Sequence, residues 1–203
     1  MNILLYKTFT VNQGSTLPSY LAILIICCLP VPWQYGSILY PLVLGTLPVL
    51  FLFQRDAKDH WFALVPNLPI APEKVIAEKY LLSALSALLI PAVMAAGQWI
   101  SSYAPAPSLG NLLNHAGFLL LDYAVMLPLT FRRGPHRPLV PYLLAIAFVI
   151  LVILACNACG FYVVSTTLSP LPVVTILLLF LGSALLFAAS FPLAQRWYLH
   201  RRW

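Results

Sequence analysis

Charge is what this chain has least of. Only 8% of its 203 residues are charged, where a soluble domain carries about a quarter. That shortage excludes an ordinary water-soluble domain. Nucleotide chemistry is missing too. There is no G-x-x-x-x-G-K-[ST] loop, because no glycine precedes a lysine, so the chain does not bind ATP in that manner. Any ATP-derived power has to come from a separate subunit. Hydrolytic motifs are absent: neither H-E-x-x-H nor G-x-S-x-G occurs, and His60, His115, His136 and His200 are scattered. No catalytic residue and no metal ligand is assigned, and no enzyme activity is expected. Cysteine is scarce. Cys27, Cys28, Cys156 and Cys159 all fall within apolar runs. The Cys156-x-x-Cys159 pair reads as small packing residues rather than a redox or metal pair, since a structural zinc needs four ligands and no histidine is near in sequence. Disulfides are neither required nor excluded.

What is present is apolar length. Hydrophobic residues make up 62% of the chain, and six runs can be drawn, at 17–33, 37–53, 80–101, 112–131, 139–164 and 172–195. Each approaches the ~20 residues that cross a ~30 Å hydrocarbon core. The expected fold is an all-α integral membrane protein: six transmembrane helices in one domain, 1–203. All 11 Lys and Arg fall in 1–16, 54–79, 132–138 and 196–203, and none falls in 34–36, 102–111 or 165–171. Cytoplasmic loops are rich in Lys and Arg, so both termini are expected to be cytoplasmic. The net charge of +6 is spread over four segments. It therefore suits anchoring to inner-leaflet lipid and not nucleic acid. The first run lacks an A-x-A-like cleavage site and reads as a retained anchor. Trp33 and Trp99 fall at outer ends and Trp61, Trp197 and Trp203 on the inner flank, at headgroup depth. Residues 1–16 fit either an interfacial helix or a frayed terminus.

The longest stretch outside the membrane is 54–79, with four of the five acidic residues. Its prolines predict a short helix over Ala57–Val65, a bend at Pro66–Pro69, and a new helix from Pro72 into the third span. Glu73 would complement that helix's dipole, and Lys74 and Glu78 stand at i,i+4 in the weaker order. Pro41, Pro48, Pro91, Pro128 and Pro192 lie in or near spans, as kinks or as hinges. Small residues gather in the third span (Ser83, Ala84, Ser86, Ala87) and the sixth (Gly182, Ser183, Ala184, Ser190), without a G-x-x-x-G.

One acidic residue lies inside a span. Asp122 stands ten residues before Arg132, roughly 15 Å from the inner edge and near the midplane. Such a carboxylate faces the bundle interior or a water-filled path. It reads as a substrate, proton or cation site, or as a structural hydrogen-bond partner. Gln98 and Asn157 in outer halves of spans read as hydrogen-bond glue or as path lining.

The loop after the second run has a family look. Phe53-Gln54-Arg55-Asp56-Ala57-Lys58-Asp59-His60-Trp61 is followed by Leu68-Pro69-Ile70-Ala71-Pro72-Glu73-Lys74 and then Glu78-Lys79-Tyr80-Leu81. Together with Pro128-Leu129-Thr130-Phe131-Arg132-Arg133-Gly134, it resembles the small six-helix permeases of the type-2 ATP-binding-cassette (ABC) exporters. Ala71-Pro72 replaces the Ser-Arg of that pattern, and Ala57 replaces a second acid. The resemblance implies a pore of two permease subunits, as a homodimer or as a heterodimer with a related permease. Two separate ATPase subunits would bind ATP and Mg, so this chain would hold no cofactor. It implies that 54–79 is a cytoplasmic coupling loop between helices two and three. Asp56, Asp59, His60 and Trp61 would contact the ATPase, with Pro69 at the bend and Glu73 and Lys74 orienting the next helix. Asp122, Gln98 and Asn157 would line the path. The membrane would be the bacterial cytoplasmic (inner) membrane. An apolar path with one carboxylate suits an amphipathic, cationic cargo such as a peptide, antibiotic or lipid. Two other classes stay open: a gradient-driven transporter or channel using Asp122, and a non-transporting immunity or scaffold membrane protein.

Overall fold

The computed structural model describes residues 39–64, 70–101, 109–134, 138–158 and 173–200, with side chains for all of these except 39–41, 62, 63, 97–101 and 173. The first apolar run, residues 1–16, Pro69 and the tail 201–203 lie outside them. Among the described residues every element is helical. These are α1 (Leu39–Lys58), α2 (Trp61–Leu64), α3 (Pro72–Ser101), α4 (Leu109–Arg133), α5 (Leu139–Ala158) and α6 (Val173–Leu199). Among the described residues four stretches are long and apolar enough to cross a membrane: Pro72–Ala96, Leu109–Arg133, Leu139–Ala158 and Val174–Leu199. They correspond to the last four apolar runs. The second run is α1, which continues beyond its apolar part into Arg55, Asp56 and Lys58.

The ends of these helices follow local chemistry. α3 starts at Pro72, where the ring removes an N–H that the first turn leaves unbonded anyway. Glu73 sits in that turn, at the positive end of the helix dipole. α4 closes on Gly134, whose φ of 98° suits glycine and whose N–H donates to the Thr130 carbonyl at 2.8 Å. Arg132 and Arg133 occupy its last turn, at the negative end of the dipole. Pro48, Pro91, Pro128 and Pro192 lie inside α1, α3, α4 and α6, and each helix runs on through its proline.

The expected short helix over 57–65 is corrected. α1 carries on to Lys58, and only Trp61–Leu64 form a separate turn of helix. The break comes at His60, which has a φ of 51°. That left-handed conformation ends α1 and turns Trp61 back into the core that also holds Phe53, Val75 and Ile76. Burying the indole offsets the cost of the turn.

α4 is the centre of the bundle. It packs along α6 over much of its length and also touches α1, α3 and α5. Of the apolar 18-residue segment within it 78% is buried, against 28% in α5 and 17% in α6. Close approach depends on two glycines. A Cβ on Gly117 would come within 3.3 Å of the Phe180 Cα on α6. At Gly45 of α1 the space a Cβ would need is filled by Leu119 of α4.

Aromatic contacts tie the helix ends together. Phe131 stands edge-on to Phe53 of α1 at 5.6 Å and to Tyr198 of α6 at 5.7 Å. Tyr80 of α3 packs between Phe187 and Phe191 of α6, and its hydroxyl is 2.9 Å from the Ser190 Oγ. So the ends of α1, α4 and α6 and the start of α3 lie at one end of the bundle. Every described basic residue is found there: Arg55, Lys58, Lys74, Lys79, Arg132, Arg133 and Arg196. The small residues of α3 and α6 divide. Ser83, Ser86, Ala87, Ser183 and Ser190 are buried in the bundle, whereas Gly182 has open space beside it. The outer faces of α5 and α6 expose leucines, among them Leu151, Leu178 and Leu185, as lipid contact requires.

Candidate functional site

Two places hold the polar chemistry. The first is the basic end, around the α1–α2 turn. Asp59 and His60 are exposed at its tip. Asp59 pairs loosely with Arg55 one helical turn back, at 3.5 Å. Glu73 and Lys74, at the start of α3, are exposed as well. A hollow of about 280 Å³ lies beside the turn, lined by Gln54, Ala57, Lys58 and Pro138.

Under the turn lies an ion pair. Lys79 Nζ is 2.6 Å from Asp56 Oδ2, and both side chains are inaccessible, at 2% and 0% exposure. The Glu78 carboxylate lies 4.0 Å from the same ammonium. The Phe53 ring covers it from 5.8 Å, an attractive arrangement for a cation over a ring face. The pair fixes the end of α1 to the start of α3. Removing one partner of such a buried pair costs about 3–5 kcal/mol, because the other charge is stranded.

This geometry bears on three expectations. Asp56 is buried against Lys79 rather than exposed on the turn. Trp61 is buried at 8% exposure and supports the turn from beneath. The Lys74–Glu78 pair is replaced by Glu78 with Lys79, because Glu78 faces inward while Lys74 faces outward. Asp59, His60, Glu73 and Lys74 remain as surface.

The second place is Asp122, midway along α4. Its side chain is fully buried, and neither oxygen has a hydrogen-bond partner. Three buried hydroxyls on α1, α4 and α5 are committed to other groups. Thr46 on α1 donates to the Leu42 carbonyl of its own helix at 2.8 Å. Tyr123 donates to the Gly45 carbonyl at 2.6 Å. Tyr142 on α5, close enough to sense the Asp122 charge, is bonded to Thr46. A buried carboxyl left unbonded costs about 1–3 kcal/mol, more when it is charged.

Of the other expected path residues, Asn157 stands apart from it. Asn157 is half-buried at the far end of α5, fifteen residues on from Tyr142 and so roughly 22 Å along the helix. Gln98 lies on α3, with its side chain outside the description. Cys156 is half-buried on α5 and unpaired. Among the described residues no group of three or more His, Cys, Asp or Glu could hold a metal ion.

Sequence reasoning missed Lys79 as the partner of Asp56, Glu78 as a second carboxylate near Lys79, and Tyr142, bonded to Thr46, as a neighbour of Asp122. Lys79 left one trace: a lysine directly before an apolar run must snorkel or find an acid. Thr46 and Tyr142 left none, because contacts between helices follow no local spacing.

The sequence model of a family described as "ABC-2 family transporter protein" matches residues 3–198. No curated protein and no solved structure matches the chain.

Proposed function

The chain belongs to the ABC-2 transporter family, and from that premise we propose that it is the membrane-spanning permease subunit of an ABC exporter. It works as a dimer, with itself or with a related permease, in the bacterial cytoplasmic membrane. Its helices make six spans, both termini face the cytoplasm, and an amphipathic cargo (peptide, antibiotic or lipid) moves outward. A separate ATPase subunit binds ATP and Mg.

The observation that supports this best is the α1–α2 turn. It presents Asp59 and His60 at the end where the described basic residues gather, the end the positive-inside rule assigns to the cytoplasm. Behind it the Asp56–Lys79 pair and the Trp61 indole make the turn one body with the starts and ends of the spans. A push on the turn is therefore delivered to α1 and α3 together. ATP, bound by the partner, shifts the bundle between two states to the extent that the partner contacts this turn differently in each.

Co-purification tests the reading. The native chain and an Asp59→Ala/His60→Ala variant are extracted from membranes in mild detergent. Recovery of a P-loop ATPase with the native chain, lost in an equally monodisperse variant, supports both the subunit role and the turn. If no ATPase is recovered with the folded native chain, the bare Asp122 carboxyl makes a gradient-driven transporter the better account.

A further inference from the structure

Resting on the permease reading, we propose that Asp122 binds the cationic head of the cargo, an amphipathic organic amine, in a site that opens where α1 meets α5. The site is an acceptor kept free of donors. Tyr142, close enough to sense the Asp122 charge, bonds Thr46, Thr46 donates to the Leu42 carbonyl, and Tyr123, next to Asp122 in the chain, donates to the Gly45 carbonyl. A structural carboxyl would use those donors. This one leaves both oxygens open.

The chemistry selects an organic ammonium. Such a head brings up to three N–H donors and a charge, which two carboxyl oxygens satisfy. A hard metal ion needs about six or more oxygens, and the described residues offer no cluster of that kind around Asp122. The surroundings are otherwise apolar. Phe118, Leu119, Leu121 and Met126 of α4 belong to the same core and suit the hydrophobic body of an amphipath.

The described state is closed, with Asp122 at 0% exposure. Access therefore requires helices to part, and the contact between α1 and α5 is small beside that between α4 and α6. α1 joins the two ends of the mechanism. Thr46 bonds Tyr142 beside the site, and ten residues on is Asp56, under the turn, roughly 15 Å along the same helix. Displacing the turn displaces Thr46.

The test compares two probes on the chain purified with its ATPase in nanodiscs: a dansyl-labelled long-chain amine and its N-acetyl counterpart, which lacks the charge. The native complex is expected to bind the amine ~10-fold or more tighter than the amide. Asp122→Asn, nearly the same shape, is expected to lose that preference while matching or exceeding native thermal stability. Asp122→Glu, which keeps the carboxyl, retains the preference. Equal binding of the two probes to the native complex overturns the proposal, and so does a preference that survives in Asp122→Asn. A preference lost in a folded Asp122→Glu also counts against it. Failure of the ATPase to co-purify refutes the permease reading instead. A complex with normal basal ATP hydrolysis but no amine preference refutes only the site.

Discussion

Replacing Lys79 by methionine should destabilise the chain more than any other single change at its basic end. The substitution keeps most of the side-chain length and apolar stem and deletes the ammonium. That leaves the Asp56 carboxylate, 2.6 Å from the lost charge, at 0% exposure, with Glu78 close by. Stranding a buried charge costs about 3–5 kcal/mol. For a chain of this size each kcal/mol moves the melting temperature by roughly 2–4 °C, so a loss of about 6–20 °C is expected. Asp56→Asn should cost less, because Glu78 still offers the ammonium a carboxylate. The double variant Asp56→Leu/Lys79→Met should recover a large part of the loss, since an apolar pair can replace a buried ion pair at little cost. Thermal unfolding in detergent, followed by size-exclusion chromatography of the remaining soluble chain, reads all three. A Lys79→Met melting point within about 2–4 °C of native refutes the closed ion pair. A double variant worse than either single one refutes it also.

Three further outcomes follow from contacts on the page. Tyr80→Phe removes a hydroxyl 2.9 Å from Ser190 Oγ while keeping the ring between Phe187 and Phe191, and should cost about 1 kcal/mol in the same assay. Gly117→Leu forces a side chain where even a Cβ meets the α6 backbone at 3.3 Å; it should part α4 from α6 and cost roughly 1–3 kcal/mol or more, with Gly182→Ala, in open space, as the neutral control. His60→Gly relieves a left-handed φ of 51° and should raise stability by up to about 1 kcal/mol, net of the added freedom of the unfolded chain; if the imidazole also reads the ATPase, affinity for the partner falls while the melting point rises.

Local rules reached some parts of this molecule and not others. The last four apolar runs and the start of α3 at Pro72 were legible because each depends on a few adjacent residues. The α1–α2 turn was misplaced because no glycine marked it. His60 holds a conformation that propensity disfavours, with the nearby burial of Trp61 as compensation, and that burial is a tertiary fact. Asp56 was taken for surface because four of the five acids fall in one polar loop. Its partner is twenty-three residues further along the chain, beyond the reach of any spacing argument. Asp122 was legible as an intramembrane carboxyl. That its neighbours' hydroxyls point elsewhere became visible only with three helices in place.

The central position of α4 also bears on how the chain enters the bilayer. α4 is the most enclosed of the four membrane-length helices and the least apolar, with a mean hydropathy of 1.4 against 1.7, 2.9 and 2.4. Asn111, Asn114, His115 and Asp122 all lie on it. Each carries a penalty in lipid alone. The translocon thus meets a span whose partition is poor until neighbours shield those groups. α5, the most apolar, partitions without help. α4 is therefore expected to complete its insertion only as α3, α5 and α6 come to stand beside it, through the same contacts that build the core.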